Sequence, residues 1–173
     1  LTMEKLAKLK PCFLRDEQAS VTAGNSSSLN DGAGAVVVMS AEKAKELGVK
    51  ALLKIEGFAV AGYDAELMGY SPKFSSEKLA EKLGLDLKNI DMFEINEAFA
   101  SQAFAVSRDL GLDPDKVNIY GGGISIGHPI GATGAILTVK VLYELMRTDK
   151  KDAMISMCIG GGQGISMYFK KCV

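Results

Sequence analysis

Three short stretches of this 173-residue chain concentrate the side chains able to do chemistry. They are NEAFA at 96–100, GGGISIGHPIGATG at 121–134 and CIGGGQG at 158–164. The only histidine, His128, lies in the second stretch with Pro129 directly after it. Asn96 opens the first and Cys158 the third. A neutral imidazole can take a proton from a thiol and leave a thiolate, the useful nucleophile. A thiol near an imidazole or an oxyanion site can also move protons as a general acid or base. Backbone N–H groups in glycine-rich turns approach a substrate without Cβ obstruction and can stabilise an oxyanion. Together, an amide, an imidazole, a thiol and a bare N–H turn make up a kit for acyl-thioester chemistry.

Taken singly, each piece has a plainer reading. Asn96 suits a helix N-cap, and Glu97 favours a helix N-terminus through the dipole. A lone histidine serves as a satisfied structural residue, and a lone Cys158 as a small buried hydrophobe. The 121–134 loop lacks the Lys-Ser/Thr of a phosphate-binding P-loop, and no ribose-binding acid follows it at the dinucleotide spacing. Three scattered cysteines (Cys12, Cys158, Cys172) and one histidine give no paired zinc ligands, so metal-free chemistry is expected. The same cysteines fit a reducing, cytoplasmic compartment better than a secreted disulfide framework. A net charge of −1 argues against nucleic acid, and apolar runs such as AVVVM are too short to cross a membrane. LTMEKLAKLK has no apolar signal-peptide core, and a first residue of Leu rather than Met suggests truncation, processing or an unusual start.

The elements that must position these residues alternate at α/β spacing. Helices are expected at 1–9, 41–48, 75–84, 97–111 and 132–148, from apolar periodicity and glycine stops. Ser40 suits the N-cap of the second and Gly48 its C′ position. Strands are expected at 35–40, 51–62, 91–95 and 117–123, with a glycine-turned hairpin over 152–171. The apolar AVVVM at 35–39 needs cover on both faces. This arrangement puts Asn96, His128 and Cys158 where strands end, and α/β proteins bind ligands at the carboxyl ends of their strands.

These three motifs closely resemble the C-terminal half of the thiolases, the acetyl-CoA acetyltransferase type in particular. VTAGNSSSLNDGA at 21–33 is also similar to the thiolase segment joining the two halves, so the resemblance covers essentially the whole chain. It implies an α/β fold, a thiolase-fold C-terminal half with a mixed β-sheet layered with helices. Residues 1–34 then form a leader and connecting loop from the preceding half, and 35–173 the C-terminal domain. His128 matches the histidine that activates a nucleophilic cysteine and helps bind the thioester oxygen. Asn96 matches the asparagine holding a water of that oxyanion hole. Cys158 matches the acid/base that removes or returns the α-proton, and Gly160 offers an N–H to a second oxyanion hole. Ser27 matches the serine on the pantetheine of coenzyme A. Ala23, Leu29, Met68, Ala98 and Phe99 match the lining of that tunnel.

Two departures stand out. The thiolase nucleophile lies in the N-terminal half, in a motif these residues do not contain, and neither Cys12 nor Cys172 has its surroundings. In MGYSPKF at 68–74, Ser71 replaces a glycine common in thiolases, which questions the local loop geometry. The resemblance therefore implies a C-terminal half or subunit acting on coenzyme A thioesters without a bound cofactor. It would be inactive until an N-terminal half supplies the nucleophile, and would sit within a homo- or hetero-oligomer. The competing reading is a non-catalytic remnant that binds acyl-CoA or a partner; a fragment of an ordinary full-length thiolase is a third.

Overall fold

The computed structural model describes residues 1–172. Helix α1 (Met3–Ala7) and helix α2 (Ala41–Glu46) precede strand β1 (Leu53–Gly62), helix α3 (Ser71–Leu83) and strand β2 (Phe93–Ile95). Helices α4 (Ala100–Asp109), α5 (Gly123–Ile126) and α6 (Thr133–Arg147) follow, and strands β3 (Asp152–Gly160) and β4 (Gln163–Lys171) close the chain. The four strands form one mixed sheet in the order β1-β4-β3-β2. β3 and β4 make the expected antiparallel hairpin, and β2 runs parallel to β3, pairing Phe93 with Met154 and Ile95 with Ser156.

Both faces of the sheet are covered at β2 and β3, which is why β3 is largely apolar, while Ile55, Phe58 and Val60 of β1 stay exposed. Alternate side chains go to opposite faces. Phe93, Ile95, Met154 and Tyr168 pack with Leu79 of α3 and Val106 of α4. Met92, Ala153, Ile155 and Phe169 pack with Leu137, Val141 and Leu145 of α6. The result is a helix–sheet–helix sandwich whose short β2 stays wholly buried. At the free side of β1, Lys78 and Lys82 of α3 donate from Nζ to the main-chain carbonyls of Val60 and Phe58, at 3.0 and 3.4 Å.

Local signals explain most boundaries. Ser40 caps α2, its Oγ accepting from Lys43 N at 3.1 Å, and Gly48 follows with φ +64°. α3 starts at Ser71, four residues before the expected 75, because Pro72 presets the backbone of its first turn. Three expectations are corrected. Residues 35–40 form no strand: no described segment runs beside them to complete a ladder, and Val37 is 87% exposed. The expected strand at 117–123 reduces to one bridge, Phe93 to Val117, because Asn118 turns the backbone to φ +48°. The helix expected at 97–111 begins at Ala100, since 97–99 run extended against the 25–27 loop.

Candidate active site

That delayed start decides the role of Asn96. It does not cap α4, whose N-cap is Phe99, with Phe99 N donating to Gln102 Oε1 at 3.5 Å. Asn96 instead continues the ladder of β2, its N donating to Ser156 O at 2.9 Å. Its side chain is 2% exposed and turns toward the histidine, with Nδ2 3.3 Å from His128 Nε2. Segment 97–99 is held by the 21–33 loop. Ser27 N donates to Ala98 O at 2.9 Å, Ala100 N to Asn25 O at 2.8 Å, and Ser26 bridges Phe99.

His128 is fixed at three points. Its N donates to Asn30 Oδ1 at 3.1 Å, its Nε2 meets Asn96, and its Nδ1 lies 2.7 Å from Thr133 Oγ1. Leu29 pairs with it in an isolated parallel bridge, so the 21–33 loop meets the histidine's main chain. Gly127 is required just before it: its φ is +94°, and a Cβ there would lie 2.5 Å from Asn30 Cγ. Burial lowers the histidine's pKa, which keeps the ring neutral at pH 7.

Cys158 lies two residues past Ser156 on β3, one strand over from Asn96 and at the same sheet end. Its thiol is half-buried, and burial pushes its pKa up, so it is held as the protonated acid. Gly160, two residues on, has φ +106° at the entry to the hairpin turn. Met157, next to Cys158, reaches within van der Waals distance of the Gly134 position on α6, beside Thr133. The ends of β2 and β3, with Asn96 and Cys158, thus lie at one end of the sheet.

The remaining expected residues divide. Ser27, Ala98, Phe99 and Leu29 are joined to the site by the contacts above. Met68 stands on the 65–70 turn, where its carbonyl accepts from Ser71 Oγ at 2.8 Å. The same hydroxyl lies 2.7 Å from Gln163 O, tying that turn to the start of β4. Ser71 has φ −54° and ψ −28°, so a side chain fits where thiolases commonly carry glycine. Ala23 is exposed on its loop.

Sequence reasoning missed four supports. Asn30 and Thr133 hold the histidine, as above. Asn118 replaces the missing strand with its amide: Oδ1 accepts from Ile95 N, and Nδ2 donates to Ile95 O and Glu97 Oε1, at 2.8, 2.8 and 2.9 Å. Glu97 Oε2 in turn accepts from Ile124 N at 3.2 Å, so its carboxylate braces the histidine loop rather than α4. The one available signal was spacing: Thr133 follows His128 by five residues within the same glycine-rich motif.

Among the described residues, no three His, Cys, Asp or Glu side chains cluster as metal ligands would, and no helix is long and apolar enough to cross a membrane. Residues 49–171 match the thiolase C-terminal domain family, and residues 1–42 the thiolase N-terminal domain family. The chain is 51% identical over 166 residues to an acetyl-CoA acetyltransferase of Pseudomonas aeruginosa, covering 96% of this chain and 42% of that protein. It is 49% identical over 170 residues to the beta-ketothiolase BktB of Cupriavidus necator, covering 98% of this chain and 43% of that protein. The crystal structure of human mitochondrial 3-ketoacyl-CoA thiolase in complex with CoA superposes with a TM-score of 0.95 at 43% identity. That match covers 100% of this chain and 43% of the human chain, so these residues span less than half the length of the relatives they match.

Proposed function

This chain belongs to the thiolase family, and on that premise we propose that it supplies the acid/base half of a thiolase active site. The reaction is Claisen condensation to a 3-ketoacyl-CoA or its thiolytic cleavage. The observation that carries this reading is the Asn96–His128 contact at 3.3 Å, at the sheet end that also carries Cys158.

The chemistry follows from the groups. Removing a proton next to a thioester carbonyl gives an enolate, which needs a base and donors waiting at its oxygen. Cys158, as thiolate, takes that α-proton in condensation and as thiol returns one in cleavage. His128, with a water held by Asn96, forms one oxyanion hole at the thioester oxygen, and the N–H of Gly160 helps form a second. The nucleophilic cysteine that carries the acyl group comes from outside these residues, and His128 takes its proton. Ser27, Leu29, Met68, Ala98 and Phe99, with Ala23, line the path of the coenzyme A arm. Within this reading, residues 1–34 lead in from the preceding half and 35–173 form the acid/base domain. Exposed Val37, Phe104 and Tyr143 support assembly with further polypeptide into an oligomer, and the unpaired cysteine usage supports a cytoplasmic setting.

The test is reconstitution with a separately expressed thiolase N-terminal half, followed by acetoacetyl-CoA cleavage. The chain alone is expected to be inactive, the mixture active, and the mixture with Cys158→Ala inactive. Full activity of the chain alone would overturn the split site. An inert mixture that still binds CoA would favour a non-catalytic binder.

A further inference from the structure

We propose that Thr133 is a positioning residue that fixes His128 as its Nδ1–H tautomer. The inference follows from counting protons. Thr133 Oγ1 has one proton to give and lone pairs to accept with. It lies 3.0 Å from Pro129 O, a carbonyl that can only accept, and 2.7 Å from His128 Nδ1. With the hydroxyl proton directed at Pro129, the contact with Nδ1 needs a proton from the ring. The longer contact at the other nitrogen agrees with that answer. Asn96 Nδ2 is a donor, and it faces Nε2 at 3.3 Å, so Nε2 holds a lone pair. The opposite assignment would set the Nε2–H against the Asn96 N–H, donor to donor.

The fold makes this arrangement hard to evade. Thr133 is 3% exposed and stands at the first position of α6. Pro129 O also accepts from Ala132 N at 2.7 Å and Thr133 N at 2.9 Å, so the turn between the histidine and the helix closes around that carbonyl. The threonine hydroxyl is thereby held where the imidazole edge must meet it.

The consequence for catalysis rests on the function proposed above. Only the Nδ1–H tautomer keeps a lone pair on Nε2, on the side of Asn96; taking a proton there from the nucleophilic thiol displaces the Asn96 N–H from that lone pair. In that step the S–H bond breaks and an Nε2–H bond forms, leaving a thiolate and an imidazolium. The new Nε2–H then donates to the thioester oxygen while Nδ1–H stays on Thr133. A ring locked the other way would offer the thiol no lone pair.

Because His128 is the only histidine in the chain, two-bond ¹⁵N–¹H correlation spectra of the uniformly ¹⁵N-labelled full chain read this one ring, with no activity required. Above its pKa, the wild-type ring is expected to show protonated Nδ1 and unprotonated Nε2. Thr133→Ser should keep that pattern, and Thr133→Val should shift the ring toward Nε2–H. A wild-type ring that is mainly Nε2–H overturns the proposal even if the valine variant fails to fold. So does a folded Thr133→Val chain with an unchanged tautomer. In the reconstituted enzyme, Thr133→Val should lower kcat about tenfold with KM nearly unchanged, and serine should restore it. A correct tautomer in a mixture that never turns over would sink the thiolase reading and leave the Thr133 assignment standing.

Discussion

Replacing Lys140 by methionine should destabilise this chain far more than a surface lysine would, and the structure says by how much. Glu94, on β2 two residues before Asn96, has a side chain with no exposed surface. Its Oε2 meets Lys140 Nζ at 2.5 Å, and its Oε1 has no hydrogen-bond partner among the described residues. At an effective dielectric constant near 20, that separation gives ~7 kcal/mol of gross attraction, most of it offset by the desolvation of both ions. What matters is the stranded carboxylate: breaking a buried pair from one side costs about 3–5 kcal/mol. Lys140 is 17% exposed, which places the expected loss near ~3 kcal/mol. For a chain this long, that is a fall of roughly 6–12 °C in Tm.

The pH dependence sharpens the expectation. Burial raises the pKa of Glu94, against the lowering influence of Lys140. With the lysine gone the rise is larger. A carboxyl with a raised folded pKa holds its proton in the folded state when the unfolded chain has released it, so stability falls as pH rises above the ordinary glutamate range. The penalty of Lys140→Met should therefore be larger at pH 7 than at pH 5, and the Glu94→Gln, Lys140→Met double variant should recover much of it. The assay is urea unfolding followed by circular dichroism at both pH values, run as a double-mutant cycle. A loss below about 1 kcal/mol at pH 7, or one that ignores pH, would refute the reasoning.

Other perturbations test other parts of the site. Asn118→Ala strands the N–H and C=O of Ile95 and should cost about 2–4 kcal/mol in chemical denaturation. Gly127→Ala meets both a left-handed φ and the Asn30 amide. It should cost about 1–3 kcal/mol of stability and move the His128 ring resonances, both measurable on one labelled sample. His128 should titrate below the ordinary value of about 6.5 in an NMR pH series, since burial disfavours its charged form. With iodoacetamide at neutral pH, exposed Cys12 and Cys172 should be alkylated well before half-buried Cys158, as peptide mass spectrometry would show. The gap should narrow as pH rises and Cys158 ionises.

Much of the site was legible because its residues stand where periodic segments stop. DMFEI and DAMISM are short apolar runs followed at once by Asn96 and Cys158, and parallel pairing of β2 with β3 brings both to one sheet end. The α6 and hairpin signals were equally direct. What stayed hidden depends on partners distant in sequence. The valines at 36–38 have strand propensity, but propensity cannot supply a neighbouring ladder, and the segment stays unpaired. Asn96 preceded a helix and matched cap chemistry. Only the pairing of 97–99 with the 25–27 loop shows that the helix starts later. Asn118 does the work of a strand residue through its side chain, and no pattern of hydrophobicity encodes that.

The lysines along β1 bear on how the protein behaves at high concentration. An open strand edge is a template onto which another chain can add, and charged groups on that edge are a common deterrent to such addition. Lys78 and Lys82 occupy two of its carbonyls and leave ammonium groups there. Exposed Val36, Val37 and Val38 stand outside the strands and receive no such lysine contact among the described residues. Association is thus divided within one molecule: the sheet margin is shielded against runaway addition, while the exposed valines leave a surface for the further polypeptide of the proposed assembly.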